Sequence, residues 1–115
     1  MAPLKDRIEG LRAEFEKAAA AAKDMPADFR VSITNPAGED AYPIASFTWL
    51  LVYKEQRDES KGRSLVKFLH WAIHDGQRFG PPLHYAPLPQ SLVPTIEAKL
   101  REIRHDGQAL VPLGR

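Results

Sequence analysis

The sequence predicts an α/β fold with few strands, in the element order α-β-β-α-α, and a sheet that another chain completes. Two observations predict this class. Apolar residues recur at helical spacing in some segments and at strand-like spacing in others. The second strand-like segment, residues 44–54, is apolar on both faces and so belongs inside a sheet, but a pair of strands does not make a self-sufficient sheet. We therefore expect a second copy or a partner polypeptide to supply strands.

The chain begins with a predicted amphipathic helix over residues 3–24. Pro3 suits the first turn, charged residues fill one face, and the apolar residues follow the helical period on the other. The apolar positions are Leu4, Ile8, Leu11, Phe15, Ala18, Ala19 and Ala22. The alanine-rich end has no bulk, so we expect it to lie close against another element. Asp24 and Pro26 end the helix.

Two strands are predicted after this helix. Phe29, Val31 and Ile33 alternate with polar residues, which indicates a short strand with one buried face. The loop 35–43 contains two prolines and a glycine, and these residues interrupt strand pairing. The second strand, 44–54, is an almost unbroken apolar run that we expect at the centre of a sheet.

The carboxy-terminal half is predicted to be mostly helical. A helix begins between Glu59 and Gly62 and runs to about His74, with Gly76 as its C-cap and a short helical turn over 77–81. The proline-stiffened crossing LHYAPLPQS then leads to a last helix over 90–104. The tail that follows carries a weak apolar cluster of Leu110, Val111 and Leu113.

Length and composition describe one small domain. We divide it into a leading helix, a main segment and a tail, at residues 1–24, 27–104 and 105–115. The net charge of +1 argues against a nucleic-acid partner. The absence of cysteine excludes disulfides, thiolate zinc sites and cysteine nucleophiles. No apolar run reaches the roughly 18 residues of a membrane-spanning helix. The charged start is not a signal peptide, so the chain as written is expected in the cytoplasm.

Three motifs in sequence order give the chain a specific resemblance. Asp-Ala-Tyr-Pro-Ile (40–44) enters the apolar strand, Lys-Gly-x-x-Leu-Val-x-Phe-Leu (61–69) lies in the next helix, and Tyr-Ala-Pro-Leu-Pro (85–89) forms the crossing. Together they resemble the carboxy-terminal segment of the periplasmic phosphate-binding proteins, the substrate-binding receptors of the phosphate ABC transporters. The resemblance covers residues 18–103.

The resemblance implies part of one lobe of a type II periplasmic-binding-protein fold, in which two α/β lobes close around phosphate, and it implies a periplasmic location. Residues 35–43 then resemble the hinge-side connection, and 44–54 resembles a strand that lies among strands from elsewhere in the receptor. The family holds phosphate with Ser and Thr hydroxyls, backbone N–H groups, an Arg and an Asp from the preceding two thirds of the receptor. Those motifs do not occur here, so no phosphate ligand is assigned to this chain.

Lys61, Gly62 and Arg63 are weak candidates for an anion site at a helix start, where free backbone N–H groups favour negative charge. The stretch is not a P-loop. A solvated helix start capped by Asp58 or Ser60 is the favoured interpretation.

His70 and His74 are four residues apart on a predicted helix and could face one metal ion. The zincin motif needs Glu directly after the first His, and Trp71 stands there instead. A third ligand would come from His84, Asp75 or another chain. We favour two histidines on the polar face of the helix and predict no metal.

The remaining polar and aromatic residues do not indicate catalysis. Glu39 and Asp40 are adjacent in a loop, where a carboxylate commonly caps backbone amides. The large aromatic residues are interpreted as core or interface residues rather than a base-stacking surface, and they are Phe47, Trp49, Phe68 and Trp71. No Ser-His-Asp or Gly-x-Ser-x-Gly pattern occurs.

We therefore expect a non-enzyme without cofactors. The first hypothesis is a self-associating segment of a phosphate receptor. Inorganic phosphate is its possible ligand, although no sequence motif supports phosphate binding. The second is a protein-interaction module with no small ligand, either a homodimer or the complement of another polypeptide. An apolar strand edge that lacks neighbours favours association in both cases.

Overall fold

The computed structural model describes residues 3, 6, 9–10, 26, 28–30, 32, 34 and 46–110. The chain divides into two compact units, 1–49 and 50–115. In the first unit Asp6, Glu9 and Gly10 are helical, and most of the predicted leading helix lies outside the described residues. The loop 35–43 with Glu39 and Asp40 also lies outside them.

The first unit contains a turn at the place where the first strand was predicted. The backbone N–H of Phe29 donates to the carbonyl of Pro26 at 2.8 Å, and Phe29 has a left-handed φ of 57°. The Asp28 carboxylate accepts from the N–H of Arg30 at 3.1 Å, as Asp commonly does in turns. The prediction of Phe29 as a strand residue is therefore wrong. Its ring instead contacts Trp49 edge-on, with 6.4 Å between the ring centroids.

The predicted strand over 44–54 is wrong in its described part. Residues 46–53 have no regular secondary structure, and pairing begins only at a parallel bridge between Glu55 and Arg104. The N–H of Arg104 donates to Lys54 and the N–H of Gln56 donates to Arg104, both at 2.7 Å. Within the described residues no neighbouring strand extends far enough to pair with the apolar run, so its composition alone does not make it a strand.

Helix α1 spans Glu59–Ile73 and confirms the predicted helix. Asp58 is its N-cap, and the last residue is followed by His74 as C-cap. The prediction of Gly76 as C-cap is wrong. His74 leaves helical geometry, its N–H donates to Trp71, and Gly76 lies inside the 3₁₀ helix Asp75–Phe79 that starts at once.

Gln77 fixes the crossing segment against the end of α1. Its side-chain amide donates to the carbonyl of Ala72 at 2.7 Å and accepts from the N–H of Leu88 at 2.6 Å. A 3₁₀ turn, Pro81–Leu83, lies between Gln77 and Leu88. The helical turn predicted over 77–81 is present in part, in 3₁₀ form, as the end of the helix Asp75–Phe79. The proline-rich crossing is thus held to the end of α1 through the hydrogen bond between Leu88 and Gln77.

The last predicted helix is shorter than residues 90–104. A 3₁₀ turn at Gln90–Leu92 leads into helix α2, Val93–Leu100. Pro94 lies in the first turn of α2, where its missing N–H is tolerated. The helix ends at Leu100 because the chain then turns into a hairpin.

The predicted tail begins with a β-hairpin that the sequence analysis did not anticipate. Strand β1, Arg104–His105, pairs antiparallel with strand β2, Gln108–Ala109. Asp106 and Gly107 both have positive φ, 47° and 77°, which is the geometry of a two-residue hairpin turn. The structure therefore combines helices with a small two-stranded sheet. This confirms a partial α/β lobe, although its strands are not the predicted ones.

The core of the second unit lies between α1, α2 and the hairpin. Its buried members are Val66, Leu69, Leu100, Ile103 and Leu110, with Val52, Leu65 and Ile73 packed against them. The hairpin returns Leu110 to this cluster, and its N–H donates to the carbonyl of Ile103 at 3.0 Å. Among the described residues no helix is both long and apolar enough to cross a membrane.

Candidate functional site

The start of α1 carries the three anion candidates, and the backbone N–H groups of Lys61 and Gly62 and the Arg63 guanidinium have partners within the chain. The N–H of Lys61 donates to the Asp58 carboxylate at 2.9 Å, and the N–H of Gly62 donates to the Asp58 carbonyl at 2.9 Å. The Arg63 guanidinium donates twice to Glu59, at 2.9 and 2.7 Å. Asp58 thus caps the helix, and these contacts favour the capping interpretation over an anion site.

The two histidine candidates come together at the other end of α1. The rings of His70 and His74 stack with 4.3 Å between centroids and 25° between planes. His74 Nδ1 lies 2.8 Å from the carbonyl oxygen of His70, and His74 Nε2 lies 3.0 Å from Oε1 of Glu97 on α2. Donor atoms of the three side chains all lie within 4.8 Å of one another, a grouping that could hold a metal ion.

Glu97 is the member of this cluster that the sequence analysis missed. His84 and Asp75 had been considered as third ligands, and neither belongs to the group. Glu97 lies more than twenty residues from His74 in sequence, and only the packing of α2 on α1 brings them together. The sequence did show an acidic residue on the predicted last helix, but spacing alone could not identify it as the residue that meets the two histidines.

Two groups of large apolar side chains are exposed in the structure. The first is the apolar segment, residues 49–53, in which Leu51 is 98% and Tyr53 86% exposed. The second is the aromatic face of α1 and the following 3₁₀ helix. There the ring centroid of Trp71 lies 5.9 Å from the ring centroids of both Phe68 and Phe79. Both groups have the composition of interface residues.

A carboxylate between two lysines fixes the turn after α2. Lys54 and Lys99 both form ion pairs with Glu102, the Lys99 contact at 2.8 Å. Hydrogen bonds from Lys54 and then Lys99 lower the pKa of Glu102 from 4.5 to about 2. Because Lys54 comes from the segment before α1, this network connects both ends of the second unit.

The Glu102 network contributes stability that depends on pH in the acid range. Its folded pKa lies below its unfolded value, so its contribution is complete above pH 4.5 and is lost as the pH falls toward about 2. We expect Glu102→Gln to lower the melting temperature at neutral pH, and the difference from the wild type to shrink over that acid range. Melting curves followed by circular dichroism measure this.

Asp75→Asn, which removes an exposed carboxylate outside the network, serves as the control. A Glu102→Gln deficit that stays constant down to pH 2 would contradict the assignment of the lowered pKa.

His105 ties the hairpin to the segment before α1. Its Nδ1 lies 2.8 Å from the carbonyl oxygen of Gln56. This hydrogen bond, helped by the nearby Asp106 carboxylate, raises the pKa of His105 above its ordinary value. The contact is structural, since it closes the same junction as the bridge between Glu55 and Arg104.

Three known proteins that are similar to this chain carry the same name. No protein-family model matches the chain. Over 71 residues, 62% of the chain, it is 39% identical to the "Phosphate-binding protein PstS" of Xylella fastidiosa (strain 9a5c), of which this stretch is 20%. The protein of the same name from Haemophilus influenzae (strain ATCC 51907 / DSM 11121 / KW20 / Rd) is 31% identical over 69 residues, 60% of this chain and 21% of that protein.

A third relative has the same name. In Methanocaldococcus jannaschii (strain ATCC 43067 / DSM 2661 / JAL-1 / JCM 10045 / NBRC 100440) the "Phosphate-binding protein PstS" is 37% identical over 54 residues, 44% of this chain and 13% of that protein. The chain spans about a fifth of the length of the first of these relatives, 20%. The resemblance to a segment of the phosphate-binding proteins is therefore confirmed.

Proposed function

We propose that this chain is a carboxy-terminal segment of a periplasmic phosphate receptor, with a binding rather than a catalytic role, and that it associates with a second copy of itself. In this proposal residues 27–104 form the receptor-like segment, 35–43 is its hinge-side connection, and the tail follows at 105–115. The relatives named as phosphate-binding proteins support the receptor class. They also support a non-enzymatic role, since binding is what their name states.

The exposed apolar segment 49–53 carries the proposal of self-association. Leu51 is 98% and Tyr53 86% exposed, whereas Val52 between them packs against the core. An apolar surface of this kind is stabilised when a partner removes it from water, by about 25 cal/mol for each Å² buried. The net charge of +1 means that two copies repel each other little. A second copy presents the same apolar segment and is the occupant that we propose.

The chain brings no phosphate ligands of its own in this proposal. The helix start at Lys61 to Arg63 is occupied by contacts to Asp58 and Glu59. We infer that the chain lacks the motifs with which the family holds phosphate. The proposed role is therefore structural completion of a receptor lobe, with the phosphate site supplied elsewhere.

Replacing Leu51 with glutamate tests self-association. We expect the purified wild-type chain to form a dimer as its concentration rises through the micromolar range, and Leu51→Glu to weaken dimerisation at least about tenfold, because an unpaired charge would enter an apolar interface. Sedimentation velocity measures both. Gln108→Glu introduces the same charge at an exposed hairpin residue and should leave dimerisation unchanged.

A wild-type chain that stays monomeric at all concentrations would overturn self-association and leave the receptor class intact. Equal weakening by Leu51→Glu and Gln108→Glu would show that net charge, rather than the apolar segment, governs association.

An interaction module without a small ligand is the second candidate function. The aromatic face of Phe68, Trp71 and Phe79 favours it, because exposed aromatic residues are enriched at protein interfaces. One thermal series tests what the two candidates share, since a ligand stabilises only the protein that binds it. A melting temperature that rises with protein concentration and not with phosphate fits both candidates. A melting temperature that rises with phosphate would overturn the proposal that the chain brings no phosphate ligands of its own.

A further inference from the structure

We propose that His70, His74 and Glu97 form a binding site for a divalent transition-metal ion of the zinc type. The proposal is independent of the phosphate-receptor function, because it depends only on how α1 and α2 pack. Two imidazoles and one carboxylate provide the donor set, and the donor atoms lie within 4.8 Å of one another. Imidazole nitrogen suits Zn²⁺, Ni²⁺, Co²⁺ and Cu²⁺ rather than Mg²⁺ or Ca²⁺, which prefer oxygen ligands.

The helix register brings the two histidines to one side of α1. Residues four apart in a helix are neighbours on its surface, and these two rings stack at 4.3 Å. Glu97 reaches them from α2, where it lies 3.0 Å from His74 Nε2. Two ligands of a tetrahedral zinc ion, each about 2.1 Å from the metal, lie about 3.4 Å apart. The observed separation is thus close to that of two ligands of one ion.

A backbone contact fixes which nitrogen of His74 can bind the ion. His74 Nδ1 lies 2.8 Å from the carbonyl oxygen of His70, and a carbonyl oxygen only accepts hydrogen bonds. Nδ1 therefore carries the proton, and in the neutral ring Nε2 presents its lone pair toward Glu97. Histidine ligands of metal ions are commonly oriented in this way, by donating the other ring N–H to a backbone carbonyl.

The contact between His74 and Glu97 needs a positive charge to be favourable. A lone pair on Nε2 and a carboxylate oxygen are both acceptors, and at 3.0 Å they repel unless a proton or a metal ion lies with them. Arg101 is 3.9 Å from the other carboxylate oxygen of Glu97, which leaves Oε1 to face the histidines. His70 adds a third donor side chain, whereas a single proton is shared by only two atoms.

The site is open to solvent. The side chains of His74 and Glu97 are 35% and 30% exposed, so an ion can enter without opening the fold. Three protein ligands leave the fourth position of a tetrahedral ion for water, as in zinc sites that have only three protein ligands. A bound ion would also connect α1 to α2 and raise the stability of the second unit by linkage.

Calorimetric titration of the untagged, metal-free chain with ZnCl₂ tests the proposal. We expect saturable binding of about one Zn²⁺ per chain, and a melting temperature that rises with Zn²⁺ but not with Mg²⁺. His74→Gln and Glu97→Gln should each lower the zinc affinity at least about tenfold, since orienting partners alone change metal affinity by about that factor. Far-UV circular dichroism confirms that each variant is folded.

His84→Gln is the matched control, because His84 is exposed and lies outside the cluster. Unchanged affinity in this variant, with losses in the other two, supports the site. The proposal is overturned if the wild type takes up no zinc, or if His84→Gln weakens binding as much as His74→Gln. Folded His74→Gln and Glu97→Gln that both keep wild-type affinity would overturn it as well.

Discussion

Leu110→Ala is expected to lower the free energy of unfolding by about 2–5 kcal/mol, the range measured when a buried leucine is cut back to alanine. Leu110 lies beyond the hairpin, in the part of the chain that the sequence predicted to be a tail. It is nevertheless only 2% exposed and belongs to the core cluster with Val66 and Leu100. The substitution removes apolar contacts and leaves a cavity between α1 and the hairpin.

The cavity is not easily closed by relaxation of the chain. The N–H of Leu110 donates to the carbonyl of Ile103, and Ile103 is itself buried. The next residue, Arg104, is also held in place, by its pairing with Glu55. Since both sides of the cavity are tied by backbone contacts, we expect the cost to lie toward the upper part of the range.

Chemical denaturation followed by circular dichroism measures the Leu110→Ala effect. Leu83→Ala makes the same chemical change at a side chain that is 67% exposed, and we expect it to stay within about 0.5 kcal/mol of the wild type. If Leu110→Ala cost no more than Leu83→Ala, residues 105–110 would not be a packed part of the fold.

The contrast between Leu110 and the apolar segment shows what the sequence could and could not predict. Helix α1 was predicted closely, because its apolar residues at helical spacing and the two candidates for its cap, Asp58 and Ser60, are local features of the chain, and the structure selects Asp58. Whether an apolar run becomes a strand depends on neighbours that are distant in sequence. Residues 46–53 therefore carry strand composition without strand structure, and Leu110 is buried by a hairpin just two residues long in each strand.

The sequence of the hairpin turn does indicate a hairpin. Asp106-Gly107 is a dipeptide that favours a two-residue turn with positive φ at both positions, and the structure has that turn. The signal is weak when the flanking segments are short, as they are here. Gly76 shows the opposite case, in which a residue suited to end a helix lies inside the next helical turn.

The candidate sites divide in the same way. A capped start of α1, by Asp58 or Ser60, followed from local spacing, and so did the shared face of His70 and His74. Glu97 did not, because its approach to His74 depends on the angle and register at which α2 packs on α1. Periodicity locates the face of a helix but does not determine which residue of another helix will meet it.

Gly62→Ala is expected to destabilise the chain by about 1–2 kcal/mol, although alanine favours helices by about 1 kcal/mol over glycine. Gly62 lies in the first turns of α1 and is buried. A Cβ at this position would lie 2.5 Å from Cδ1 of Leu110 and 3.0 Å from Cβ of Gln56. The overpacking therefore outweighs the gain in helix propensity.

Neither neighbour can move away at little cost. Leu110 is held in the core, and Gln56 is fixed by a side-chain hydrogen bond to the carbonyl of Tyr53 at 2.6 Å and a backbone bond to Arg104 at 2.7 Å. Ser64→Ala, at an exposed position of the same helix, is the control and should stay within about 0.5 kcal/mol of the wild type. A Gly62→Ala variant that is more stable than the wild type would show that helix propensity decides at this position.

The double variant Gly62→Ala/Leu110→Ala tests whether the clash with Leu110 is the cause. Shortening Leu110 removes the Cδ1 atom that the new Cβ would meet, and the new methyl group fills part of the cavity. We therefore expect the double variant to lose less stability than the sum of the single losses, by about 0.5–3 kcal/mol, the coupling seen for residues in contact. Additive losses would place the cost on Gln56 instead, because that neighbour is unchanged in the double variant.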